Sequence, residues 1–157
     1  MDAIRLELKS DRELVITRAF AAPRHLVFDA MTKPEYVKRW YGLQVLTMVV
    51  CEIDLRVGGR WRYVLRAPDG IEHGFTGVYR EIVKPERIVS TENYEALPPG
   101  HEMLVTVTFD EQGGETTVTS HLIYQSPADR DAHLQSGMEF GLRETYERLA
   151  ELLRSLL

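Results

Sequence analysis

The residues of this chain suited to acid–base chemistry are Glu92, four histidines (His73, His101, His121 and His133) and the tyrosines at 63, 79, 94, 124 and 146. A carboxylate and an imidazole brought together inside a pocket can act as general acid and general base. Glu92 in "STENY" and His121 in "TSHLIY" both fall in strand-like stretches, where alternation decides which side chains face inward. Parity could bring either inward, and the two near each other there would be the pair able to do such chemistry, whereas His101 and His133 sit in polar segments expected to be exposed. No residue set has metal-ligand spacing: H-E-x-x-H is absent, no paired histidines come with a third ligand, and Cys51 stands alone. Neither a metal nor a cofactor is expected, and catalytic roles stay unassigned. "QSGME" lacks the glycine and the strand-to-helix elbow of a serine nucleophile. Cys51, within the apolar "MVVCEI", reads as a small hydrophobe, and "VGGRW" and "EQGGE" read as turns because neither opens a helix.

Binding chemistry is more legible than catalysis. In "RWRYVLR" side chains alternate, so Trp61, Tyr63 and Leu65 point one way while Arg60, Arg62, Val64 and Arg66 point the other. Burying unpaired guanidinium groups costs several kcal/mol each, so the arginine side is expected to be wet and the aromatic side to face inward. Trp and Tyr each combine a broad apolar surface with one hydrogen-bonding tip, which suits a pocket that orients a ligand and equally suits plain core packing. In the next strand Phe75, Gly77 and Tyr79 share one face and Val78 and Ile82 the other; a bulge would reconcile them, and either face is open as the inner one. Further along, Gly137 and Gly141 lie four residues apart in a helical pattern, leaving room for close packing or for a ligand, with Met138 beside them as an adaptable side chain.

The elements that must position these groups follow from periodicity. "ELVITRAF" reads as a strand; "APRHLVFDAM" and "PEYVKRW" read as two short helices, the second started by a Thr32–Glu35 capping box with Pro34 in its first turn and stopped at Gly42. From Gln44 to Tyr124 about six strands are separated by "VGG", "APDG", "KPE", "ALPPG" and "EQGG". Connections that short force antiparallel neighbours, hence a meander. From Ser126, an N-cap followed by Pro127 and Asp129, the pattern predicts one long helix with Leu134, Met138, Leu142, Thr145, Leu149 and Leu153 along its apolar stripe, Gly137 being the place where it would break or bend.

The bulk numbers fit this picture. At 157 residues, 44% hydrophobic and 27% charged, the chain has the size and composition of one globular domain spanning residues 1–157. A net charge of −5 argues against nucleic acid as partner. The longest apolar run, "VLTMVVC", falls far short of the ~20 residues of a membrane helix, so no membrane insertion is expected. A single cysteine and an N-terminus without a signal-like core make the cytoplasm the expected location.

The segments "AAPRHLVFDAMTKPEYVKRWYG", "GGRWRY", "GFTGVYREIVKPERIV", "VTVTF" and "SGMEFGLRETYERLAELL" carry a family resemblance. In this order they resemble the activator of heat-shock-protein-90 ATPase homologue family, of the START-related (SRPBCC), birch-pollen-allergen-like helix-grip superfamily. The resemblance implies an α+β helix-grip fold: a curved antiparallel sheet wrapped around a long C-terminal helix, with two short helices after the first strand closing one end of a mostly apolar cavity. It also implies three functions to weigh. The first is binding of a small hydrophobic molecule by Trp40, Trp61, Tyr63, Phe75, Tyr79, Glu92, Tyr94, His121, Met138, Gly141 and Tyr146. The second is a cyclase or aromatase-like enzyme using a polar pair in the pocket. The third is an interaction module working through its surface or as a homodimer. The namesake co-chaperone holds its chaperone with a further N-terminal domain, and only a few residues precede the first strand here, so a chaperone partner is not expected.

Overall fold

Alternation of apolar and polar side chains, the strand signature of the sequence, is the organising feature of the computed structural model, which describes residues 4–157. A hairpin opens the chain, β1 (Arg5–Ser10) and β2 (Glu13–Phe20), and Leu14, Ile16, Arg18 and Phe20 of β2 all point to one buried side. Two short helices follow, α1 (Arg24–Thr32) and α2 (Pro34–Trp40). They carry the chain to the opposite edge of the sheet, where a meander begins: β3 (Thr47–Ile53), β4 (Arg60–Arg66), β5 (Glu72–Val83), β6 (Arg87–Tyr94), β7 (Met103–Gln112) and β8 (Glu115–Ile123). The meander closes onto β2, giving one eight-stranded antiparallel sheet in the order β1-β2-β8-β7-β6-β5-β4-β3. Helix α3 (Pro127–Gln135) and helix α4 (Met138–Leu156) complete the chain. This is the α+β helix-grip architecture that the family resemblance implies.

Local chemistry departs from the sequence reading at three places. Thr32 does not cap α2: its hydroxyl donates to the Phe28 carbonyl at 2.7 Å as the last residue of α1, and Lys33 occupies the N-cap without a side-chain bond. A threonine one turn into a helix can satisfy its hydroxyl on the carbonyl four residues back, which removes it from capping. The expected single C-terminal helix is two helices. Gly137 takes φ +83°, in the left-handed region that glycine enters without steric penalty, and becomes the N-cap of α4 rather than a helical neighbour of Gly141. The N-cap of α3 is as expected, with the Asp129 amide donating to Ser126 Oγ at 3.1 Å. In β5 the pairing with β6 slips between Tyr79 and Glu81, leaving Arg80 as an extra residue. That bulge returns Ile82 to the side of Phe75, Gly77 and Tyr79, against the core.

The core lies between the sheet and the helices. Leu14, Phe20, Val27, Phe28, Val118 and Leu149 are almost wholly buried, each stabilising the fold by ~1.5–3 kcal/mol relative to exposure. Phe28 packs on Phe109 with ring centroids 5.3 Å apart, joining α1 to β7. Trp40 ties α2 to α1 through its indole N–H, which donates to the Ala30 carbonyl at 2.8 Å. The backbone of α4 runs closest to α2, α1 and α3, so side chains span the gap between this helix and the sheet. Among the described residues no helix is long and apolar enough to cross a membrane.

Candidate functional site

Strand pairing decides which side chains meet in that gap. Cross-strand partners Ile53–Trp61–Gly77 and Cys51–Tyr63–Phe75–Tyr94 run across β3 to β6 on the inner face. The outer face of β4 carries Arg60, Arg62 and Arg66, all exposed; Arg62 makes a two-pronged contact with Glu95 at 2.7 and 2.8 Å, and Arg66 pairs with Glu72 at 2.9 Å. Gly77 makes the inner face continuous. A Cβ there would lie 1.9 Å from the Thr91 carbonyl oxygen and 2.4 Å from Trp61 Nε1, so only glycine lets the indole lie flat across β5.

The result is a run of aromatic rings along one wall. Trp61 stands 4.8 Å from Tyr63, Tyr63 stands 4.7 Å from Tyr41, and Tyr41 stands 5.9 Å from Trp40 (centroid to centroid). A second stack joins Phe75 and Tyr94 at 5.1 Å, with the Tyr94 hydroxyl 2.7 Å from His73 Nδ1. From the helix side come Met138 and Tyr146, both buried, Tyr146 edge-on to Phe20 at 5.8 Å. Gly141 falls between Met138 and Thr145 on the same stripe, and a Cβ added to it would meet nothing within 4 Å. Space is therefore left open beside α4 at that point.

Glu92 brings an acidic side chain into this aromatic setting. It pairs with Met103 across β6 and β7, on the inner side of the sheet, and is itself half-buried. Burial pushes its carboxyl up to about 7. Among the described residues no hydrogen bond reaches it, while its charge is felt by four phenols drawn from different elements: Tyr41 after α2, Tyr63 on β4, Tyr124 after β8 and Tyr146 on α4. Burial is the largest cause holding each of those phenols above its ordinary value, so all four are neutral hydroxyls at pH 7. A carboxyl poised near neutrality and ringed by neutral hydroxyls can accept a hydrogen bond or a positive charge from a guest, or give up a proton to one.

His121 is not part of this arrangement. Its neighbours Ser120 and Leu122 face the core, so His121 faces outward, and its Nε2 lies 2.7 Å from Glu13 Oε1 on the outer surface. The Glu92–His121 pair that the sequence allows is thus split between the two faces of the sheet, because alternation places strand neighbours on opposite sides. Of the other candidates, Trp61, Tyr63, Phe75, Tyr79, Glu92, Tyr94, Met138, Gly141 and Tyr146 lie on the inner side. Trp40 lies at its margin with its indole N–H already engaged.

Two residues of this region, Tyr41 and Arg18, were not singled out from the sequence, and Tyr124 was named only among the acid–base candidates. Tyr41 and Tyr124 lie just beyond regular elements, where periodicity gives no direction; spacing of Tyr41 four residues after Val37 was the available signal. His133, expected to be exposed, is tucked against Tyr124, whose hydroxyl is hydrogen-bonded to its Nδ1, and burial lowers its pKa. His101 likewise is held, 2.8 Å from Asp129 Oδ1. Arg18 is buried on the inner face, contacts Glu147 at 3.2 Å and lies over the Phe20 ring at 4.8 Å, and its Nε has no partner among the described residues. It lines a cleft of about 290 Å³ with Phe20, Glu147, Leu153 and Arg154. A second cleft of about 210 Å³ lies on the other flank of α4, between Arg39, Gln44, Arg148 and Glu151. Both are separate from the aromatic wall around Glu92.

A sheet bent around a C-terminal helix, with aromatic side chains on its inner face, defines a helix-grip protein. The chain belongs to the family of Activator of Hsp90 ATPase homolog 1-like proteins, whose family model matches residues 21–154. A crystal structure of a protein from Rhodobacter sphaeroides is similar over 98% of this chain and 99% of its own, with 29% identity and a TM-score of 0.92. A protein from Nitrosomonas europaea, 26% identical, matches 94% of this chain and 97% of its own with a TM-score of 0.84. An HSP90 activator from Plasmodium falciparum shares the fold at 22% identity, over 71% of this chain and 72% of its own, with a TM-score of 0.56. No curated protein matches this chain.

Proposed function

We propose that this protein binds a small, largely hydrophobic molecule between the inner face of the sheet and α4. The observation that carries the reading is Glu92, a half-buried carboxyl without a hydrogen-bond partner among the described residues, set among tyrosines. The half-buried carboxyl keeps some access to solvent in the empty protein, and a guest that covers it must pair with it or meet the ~1–3 kcal/mol cost of an unpaired buried polar group. The aromatic wall of Trp61, Tyr63 and Tyr41 supplies the apolar contact, and the space at Gly141 supplies room.

The test is direct titration of the purified protein with a set of aromatic and aliphatic small molecules, read by thermal shift and by native mass spectrometry. Saturable binding is expected, weakened at least tenfold by Trp61→Ala, which removes the largest ring of the wall. A set in which no member binds or stabilises the protein would sink the reading. The enzyme reading has lost the His121 half of its pair, and no observation favours it over binding.

A further inference from the structure

Resting on that reading, we propose that the preferred guest is a hydrophobic amine, its protonated nitrogen held by Glu92 against the faces of the surrounding aromatic rings. The argument starts from what is missing around the carboxyl. The side chains that feel its charge are Tyr41, Tyr63, Tyr124 and Tyr146, from four separate parts of the chain, and its cross-strand neighbour on β7 is the apolar Met103. Burial is the sole influence resolved on the carboxyl itself, with no arginine or lysine opposing it. Two guanidinium groups act on these tyrosines, and both have carboxylate partners: Arg18 next to Tyr146 contacts Glu147, and Arg130 near Tyr124 contacts Asp131 and the Ser10 carbonyl.

The protein therefore offers an acceptor on the inner face, and among the described residues no cation complements it. An anionic guest would meet this carboxylate in a poorly solvated place, where like charges repel strongly. A purely apolar guest would cover the carboxyl and leave it unpaired, which is the costly arrangement. A protonated amine satisfies both halves of the site. It donates to the carboxylate, and the neighbouring ring faces of Trp61, Tyr63 and Tyr41, which carry the negative end of the aromatic quadrupole, attract the same positive charge. The hydrocarbon or aromatic body of the guest then lies along the wall toward Gly141.

Three probes that share one ring system and differ only in the polar end test this: 1-naphthylmethylamine, 1-naphthylmethanol and 1-naphthoic acid. Each is titrated calorimetrically at pH 7.5 into the wild-type protein and into Glu92→Gln, whose folding is checked by far-ultraviolet circular dichroism. The amine is expected to bind wild type on the order of tenfold more tightly than the alcohol, with the acid weakest, as a hydrogen bond to a charged partner implies. In Glu92→Gln the amine is expected to lose that advantage while the alcohol is little changed. Equal affinity of amine and alcohol for wild type, or an amine preference that survives Glu92→Gln, overturns the amine assignment and leaves hydrophobic binding standing. Failure of all three probes to bind wild type overturns the binding reading, and the amine assignment with it.

Discussion

Replacing Glu92 by glutamine should stabilise the empty protein, and by an amount that depends on pH. The carboxyl rises from an ordinary 4.5 to about 7 on folding because burial disfavours its charge. For an acid whose folded value is raised, the native state binds the extra proton between the two values, so stability falls as pH climbs from 4.5 toward 7 and then levels off. At ~1.4 kcal/mol per tenfold, the full gap corresponds to ~3 kcal/mol, and the partial accessibility of Glu92 trims this to roughly 2–3 kcal/mol. Glutamine keeps the shape and never ionises. The Glu92→Gln variant should therefore exceed wild type by less than ~1 kcal/mol at pH 5 and by roughly 2–3 kcal/mol at pH 8, equivalent to a rise of roughly 5–10 °C in melting temperature for a chain of this size. Urea unfolding of both proteins at half-unit steps from pH 5 to pH 8, without ligand, measures the difference directly. A stability gap that is flat across that range, or one in which glutamine is the weaker protein at pH 8, would refute the account of an uncompensated interior carboxyl.

Two glycines allow sharper structural tests. Gly77→Ala forces a methyl group to within 1.9 Å of the Thr91 carbonyl oxygen and against the Trp61 indole, so the variant should lose roughly 2–3 kcal/mol in urea unfolding and change the near-ultraviolet signature of the tryptophans. Gly141→Ala adds its methyl group to open space inside a helix, so it should gain ~0.5–1 kcal/mol. A loss of stability at Gly141 would mean that the gap beside Met138 and Thr145 is filled in solution.

Legibility in the sequence tracked periodicity closely. Trp61 and Tyr63 were readable because charged neighbours on β4 leave only one side for large rings, and the meander was readable because its turns are too short for crossovers. Alternation failed where both faces of a strand carry similar residues. On β8 the series Thr116, Val118, Ser120, Leu122 faces the core and Thr117, Thr119, His121, Ile123 faces out, and nothing in composition separates the two strongly enough to orient His121. It failed again where one residue is inserted, since the bulge at Arg80 reverses the apparent side of Ile82. Arg18 was legible by parity with Leu14, Ile16 and Phe20, yet an arginine on a buried face contradicts expectation until Glu147 of α4 is placed beside it. Tyr41 and Tyr124 needed the full path of the chain, because a residue just outside an element has no period to orient it.

Glu92 is where stability and binding part company. If the glutamine variant is the more stable protein above neutral pH, nothing in the folding of this chain accounts for a carboxylate at that position. The aromatic wall would pack as well around an amide, and the four tyrosines would have one fewer charge in their surroundings. A side chain that lowers stability while facing a space between sheet and helix has its physical explanation in what enters that space. The same uncompensated charge that makes the empty protein weaker makes the occupied one stronger when the guest brings a cation. Without ligand, wild type and Glu92→Gln diverge from pH 4.5 up to about 7, and it is around and above about 7, where the folded carboxyl is ionised, that an amine should distinguish them.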